Sequence, residues 1–186
     1  MKKILIGFMV VLFFAVTVIA FTTVADAADY IGVKKCKACH MKQYKSWKKT
    51  GMATSFEKLK PGVKADAKKE AGLDADKDYT SDAKCLKCHT TGYGKSGGFK
   101  SIAETPKLAG VQCESCHGPG SEYKVLMKKD KKYKIADAKA KGLVVPSEDE
   151  KGCMACHGAD NPFKGKFNFK EGLEKTHKHI PLKNAH

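Results

Sequence analysis

Cys113-Glu114-Ser115-Cys116-His117 is one of four pentapeptides of the form Cys-x-x-Cys-His in this chain. The others are Cys36-Lys37-Ala38-Cys39-His40, Cys85-Leu86-Lys87-Cys88-His89 and Cys153-Met154-Ala155-Cys156-His157, and together the four use all eight cysteines. The pattern is the c-type haem attachment signature: two thiols add across the haem vinyl groups, and the adjacent imidazole becomes the proximal iron ligand. Four copies predict four covalently attached c-type haems, with His40, His89, His117 and His157 on the irons. Zinc sites and thioredoxin-like redox pairs also use Cys-x-x-Cys, but neither requires a histidine after the second cysteine. Disulfides within such pairs close loops too short to staple a fold.

The motifs decide the fold because they leave little protein to fold. Residues 28–186 number 159, or about 40 per haem, with a single tryptophan and many lysines and glycines. Haem faces must then supply much of the apolar interior. The expectation is a mainly α-helical, compact multihaem domain over 28–186, with short helices, long loops and haems packed against each other. The proximal histidines are 49, 28 and 40 residues apart, so there is no repeat of constant period.

Residues 1–27 read as a secretory signal peptide. Lys2 and Lys3 precede an apolar run from Ile4 to about Val24, and Ala25-Asp26-Ala27 supplies small residues for cleavage. Export by the general secretory route to the periplasm or beyond suits haem attachment. An uncleaved segment would be the chain's only membrane contact.

All 35 basic residues are lysine, and the formal net charge is +15. Lysine is a hydrated point charge rather than a bidentate fork. Such a surface suits loosely oriented docking with acidic redox proteins or other cytochromes. The cluster Lys128, Lys129, Lys131, Lys132 and Lys134 reads as a solvated helix face, and no nucleic-acid partner is expected. Gly92-Tyr93-Gly94-Lys95-Ser96-Gly97 matches a dinucleotide fingerprint but follows a haem motif rather than a strand, so it reads as a loop. A helix and loop at the surface are expected over 58–84. Gly118-Pro119-Gly120 should form a turn, followed by a helix over 121–141 closed by Gly142, and a last helix over 169–177.

Function depends on the sixth coordination position. Beyond the proximal four, only His177, His179 and His186 remain, too few for four bis-histidine haems within one chain. Methionine is the usual substitute. Met154 lies inside a motif and Met41 follows His40 directly, leaving Met52 and Met127 as candidates, against their commoner use as core filler. His186, at the terminus, is expected to be no ligand.

Cys36 to Leu59 (CKACHMKQYKSWKKTGMATSFEKL), Leu108 to Tyr123 (LAGVQCESCHGPGSEY) and Phe167-Asn168-Phe169 before a histidine-bearing tail resemble the tetrahaem cytochrome c-554 family. The resemblance implies haems in stacked pairs and crossed distal ligation: a residue after the first motif serves the third haem, one after the third motif serves the first haem, and the tail serves the fourth. The second haem is then left open. This chain departs from the family pattern twice. Thr50-Gly51-Met52-Ala53 replaces one distal histidine and Tyr123 replaces another. The resemblance therefore implies His117/Met52 at the third haem. It leaves Tyr123, Met127 or an open site at the first, and His177 or His179 at the fourth. Methionine ligation raises haem potential relative to histidine.

The leading expectation is a periplasmic electron carrier. An enzyme acting on small nitrogen oxides at an open haem is the second reading, and a self-associating haem filament, in which a neighbour donates a ligand, is the third.

Overall fold

The computed structural model of the chain describes residues 28–130, 132–146, 150–163 and 167–180. The signal-peptide reading, Lys131 and His186 fall outside them. Nine short α-helices occur among the described residues: α1 (Val33–Lys37), α2 (Met41–Trp47), α3 (Ala65–Glu70), α4 (Ala83–His89), α5 (Cys113–His117), α6 (Ser121–Lys129), α7 (Ile135–Ala140), α8 (Lys151–His157) and α9 (Phe169–Glu174). Two 3-10 turns, Phe56–Leu59 and Pro106–Leu108, and long loops connect them. The β-structure among these residues is one isolated bridge between Thr90 and Ala109. The mainly helical expectation holds. No helix among the described residues exceeds nine residues. Helices this short are marginal alone in water, so tertiary contacts must hold them.

Those contacts come first from one protein core. Phe56, Leu59, Tyr79, Leu86, Phe99 and Leu108 form a buried cluster, with the Phe56 and Phe99 rings 5.7 Å apart. Leu86 sits inside the second haem motif, so this core is what holds α4. Thr91, fully buried, donates its hydroxyl to the Gly110 carbonyl at 2.7 Å, and its backbone N–H donates to the Leu108 carbonyl. Trp47 Nε1 donates to the Val111 carbonyl at 2.9 Å, tying α2 to the segment before the third motif.

Three sequence expectations are corrected. Residues 58–84 are not merely surface: Leu59, Lys68, Ala75 and Tyr79 are buried. Lys68 reaches inward to donate Nζ to the Lys60 carbonyl at 2.6 Å. The helix expected over 121–141 is two helices. Asp130 is extended and its carboxylate accepts from the Lys132 N–H at 2.8 Å, a local bond that competes with helix continuation. The last helix stops at Glu174, where the Thr176 hydroxyl folds back onto the Leu173 carbonyl at 2.7 Å. Gly92, Gly94 and Gly97 lie in turns with positive φ, as a loop requires.

Candidate functional site

Helical geometry explains why Cys-x-x-Cys works as a clamp: residues i and i+3 share a face. In α4, α5 and α8 both cysteines lie within the helix, whereas α1 ends at Lys37 and Cys39 follows it. None of the eight cysteines is in a disulfide. Their free thiols stand in here for the thioether sulfurs of the haem-loaded protein.

The motifs do not pack in chain order. Helix α1 packs on α5, joining motifs one and three. Cys116 and Cys153 line the same apolar cleft, joining three and four. Helix α4 packs on α8, joining two and four. The spatial order is therefore first, third, fourth, second. Burial pushes the Cys116 thiol up to about 11 and, with Cys88 beside it, Cys156 up to about 12.

Two proximal histidines are already oriented. Burial holds the His89 imidazole below its ordinary range, and its Nδ1 donates to the Ser55 carbonyl at 2.6 Å. His117 is lowered by burial too, and its Nδ1 donates to the Val144 carbonyl at 3.1 Å. A carbonyl can only accept, so each ring carries its proton on Nδ1 and leaves the Nε2 lone pair for a metal. His157 stacks on Phe167, centroids 4.3 Å apart. His40, before α2, is lowered by burial.

An apolar cleft of about 150 Å³ opens beside the third motif. Cys113, Cys116, His117, Met52, His177 and His179 line it, with Cys153 of the fourth motif. The His117 and His177 rings are 6.1 Å apart, and those of His177 and His179 are 4.5 Å apart. Met52 and the tail histidines are thus brought to one place, between motifs three and four. His179 Nε2 is engaged by the Leu173 carbonyl at 2.9 Å, whereas His177 bonds the Lys178 carbonyl through Nδ1 at 3.2 Å and keeps Nε2 free. Met127 lies on α6, half-buried, away from this cleft's lining. Tyr123 is buried and donates its hydroxyl to the Gly118 carbonyl at 3.2 Å. Burial, then the neighbouring Cys36 and Glu114, disfavour its phenolate.

Sequence reasoning missed the residues that hold the motifs together. Glu114, inside the third motif and 1% exposed, accepts from Ile31 N–H with both oxygens, from Gly32 N–H at 2.7 Å and from Gly120 N–H at 2.8 Å. Gln112 accepts from Val33 N–H at 2.7 Å and donates to the Lys107 and Ala109 carbonyls. The two side chains flanking Cys113 thus dock the segment that leads into Cys36. Gly118, with φ 75°, turns the chain beneath the Gly142 carbonyl where a side chain would collide. The only signal available in advance was the presence of Gln and Glu on either side of a haem cysteine.

Paired thiols on helices, pre-oriented imidazoles and an apolar cleft among them fit covalent haem, and they define a multihaem c-type cytochrome. The family model for cytochrome c554 and c-prime matches residues 35–118. Cytochrome c-554 of Nitrosomonas europaea is 41% identical over 153 residues, covering 77% of this chain and 64% of that protein's length. The structure of reduced cytochrome c554 from the same organism superposes with a TM-score of 0.72 at 35% identity, covering 86% of this chain and 89% of that one. The chain belongs to the cytochrome c554 family and carries four covalently attached c-type haems. No helix among the described residues is long and apolar enough to cross a membrane.

Proposed function

We propose that the chain is an exported electron carrier, working in the periplasm or outside the cell, that passes single electrons between redox proteins. The observation that carries this reading is the packing order of the four motifs, first to third to fourth to second, which supports one continuous path through the molecule. Bound haem would supply the one-electron chemistry. The protein's part is to fix the sulfurs, orient the imidazoles and keep water from the buried faces. Outside the haem motifs, no set of three or more His, Cys, Asp or Glu side chains suited to a metal occurs among the described residues.

The same cleft supports a set of distal ligands. Met52 and His117 would hold the iron of the third haem; both line the cleft with Cys113 and Cys116. The tail completes the fourth haem through His177 rather than His179, because His177 keeps Nε2 free. The first haem takes no tyrosinate, since the Tyr123 hydroxyl serves the Gly118 carbonyl. The second haem, on His89, stays open.

Low-temperature EPR with near-infrared magnetic circular dichroism on the oxidised protein tests the ligand set. A high-spin haem together with a His/Met signal is expected, and Met52→His should convert the latter to bis-histidine and lower its potential. Four bis-histidine haems in the native protein would overturn the assignment. Steady-state assays with nitric oxide, nitrite and hydroxylamine should give no turnover. Sustained reduction of any of them would replace the carrier with an enzyme.

A further inference from the structure

Between Asp29 and Glu57 the chain carries seven lysines and no carboxylate side chain. Lys34, Lys35 and Lys37 belong to α1, Lys42 and Lys45 to α2, and Lys48 and Lys49 to the turn after it. All seven are exposed. The ion pairs found among the described residues, Lys60–Glu57, Lys100–Glu104 and Lys175–Glu171, involve none of them. Helices α1 and α2 pack on each other around the first motif, where Cys39 and Met41 are also exposed.

The other motifs lack this surround. Asp74, Asp76, Asp78 and Asp82 precede the second, Glu114 lies within the third, and Glu148, Asp149 and Glu150 precede the fourth. The other lysine cluster, around Lys128 and Lys134, has Asp130 in its middle and Asp137 just beyond. Two propionates on the first haem would still leave five unbalanced positive charges over residues 30–56.

We propose that this lysine collar is the port through which the chain exchanges electrons, docking an acidic redox protein against the first haem. The inference rests on the electron-carrier reading and gives that reading an address. One electron leaves the partner's cofactor and reduces ferric iron to ferrous, with no proton or bond exchanged. Hydrated ammonium groups on flexible stems attract an acidic face from a distance without fixing one orientation, which suits fast encounter and fast release. The first motif also stands at one end of the spatial order set by helix packing and the shared cleft, so an electron entering there has the other three sites ahead of it.

The test compares two charge-matched variants of the haem-loaded protein. One carries Lys34→Gln, Lys35→Gln, Lys45→Gln and Lys48→Gln. The other carries Lys128→Gln, Lys129→Gln, Lys132→Gln and Lys134→Gln, which are exposed and remote in sequence. Stopped-flow reduction uses flavodoxin hydroquinone, an acidic donor that loses one electron to become the semiquinone. At low ionic strength the collar variant should react roughly tenfold slower than wild type and lose most of its salt dependence. The control variant should change by less than about twofold. Equal slowing in both variants, or no slowing in either, overturns the port while leaving the carrier reading intact. A wild-type protein that accepts electrons from dithionite but from no protein donor overturns both.

Discussion

Residues 55–112 and residues 150–180 each hold one haem motif, and they hold it in opposite ways. Around α4 the protein supplies its own interior: Leu86 of the motif packs with Phe56, Leu59, Tyr79, Phe99 and Leu108, and Ser55 orients His89. In α8 and α9 no residue is buried. There His157 stacks on Phe167, Leu173 lines the cleft and the Glu171 N–H donates to the Asn168 side-chain oxygen, capping the start of the last helix. Helices of six or seven residues without a buried face have no stability of their own. One region is thus a small protein core that carries a haem, and the other is a wrapping whose core is the haem.

Removing the haems should split the two regions most sharply. In chain made without haem attachment, the amides of 86–91 and 108–112 should exchange roughly a hundredfold more slowly than those of 151–157 and 169–174. Hydrogen exchange read by mass spectrometry checks this. Uniform exchange along the chain would mean that the first region also depends on haem, and the contrast would collapse.

Side-chain truncation makes the next largest difference. Leu108 is fully buried, and Leu108→Ala should cost about 2–5 kcal/mol through lost transfer energy and a residual cavity. Leu173→Ala, at a half-buried position on the cleft, should cost less than about half of that in the haem-loaded protein. Denaturant midpoints measured on both variants give the ranking. The reverse order would show that haem contact outweighs the protein core.

How the regions are joined to the rest of the chain can be broken separately. Glu114→Gln keeps shape but sets an amide group against backbone N–H donors at Ile31, Gly32 and Gly120, of which it can satisfy only part. A loss of about 1–3 kcal/mol is expected. The damage should appear as faster exchange at 29–35, not at 151–157. Loss of protection in α8 instead would mean that Glu114 supports the whole assembly.

The sequence was most readable where chemistry dictates residue type at fixed spacing. Thioether formation needs two cysteines and iron needs an imidazole, so all four attachment sites stood out. The tail histidines and Met52 were legible as candidates because few other ligands exist, and the cleft gathers them. What stayed hidden depends on backbone groups. The acceptors that orient His89 and His117 are the carbonyls of Ser55 and Val144, which any residue could provide. Phe56, Phe99 and Leu108 share a core without sharing a helix or a period, so no pattern announced them. The lysine-rich stretch after Ser121 has helical propensity throughout. Propensity says nothing of the side-chain bond by which Asp130 turns the chain.

Tyr123 gives the finest probe, because it sits where α6 leaves the third motif. Its phenol is buried and donates to the Gly118 carbonyl at 3.2 Å. Burial, then Cys36 and Glu114, hold it protonated above its ordinary range near 10. In the haem-loaded protein Cys36 is an uncharged thioether, leaving burial and Glu114. The unfolded chain ionises this phenol first as pH rises, so beyond about pH 10 the native state binds more protons and stability falls with pH. Tyr123→Phe should cost about 1 kcal/mol at neutral pH, for the lost hydrogen bond. Above pH 10 that deficit should shrink and then reverse, because the variant has no phenol to keep neutral. Comparing variant and wild type at each pH cancels the shared titration of the lysines. A deficit that stays constant from roughly pH 8 to pH 11 would mean that the phenol titrates alike folded and unfolded, and that α6 is held by packing alone.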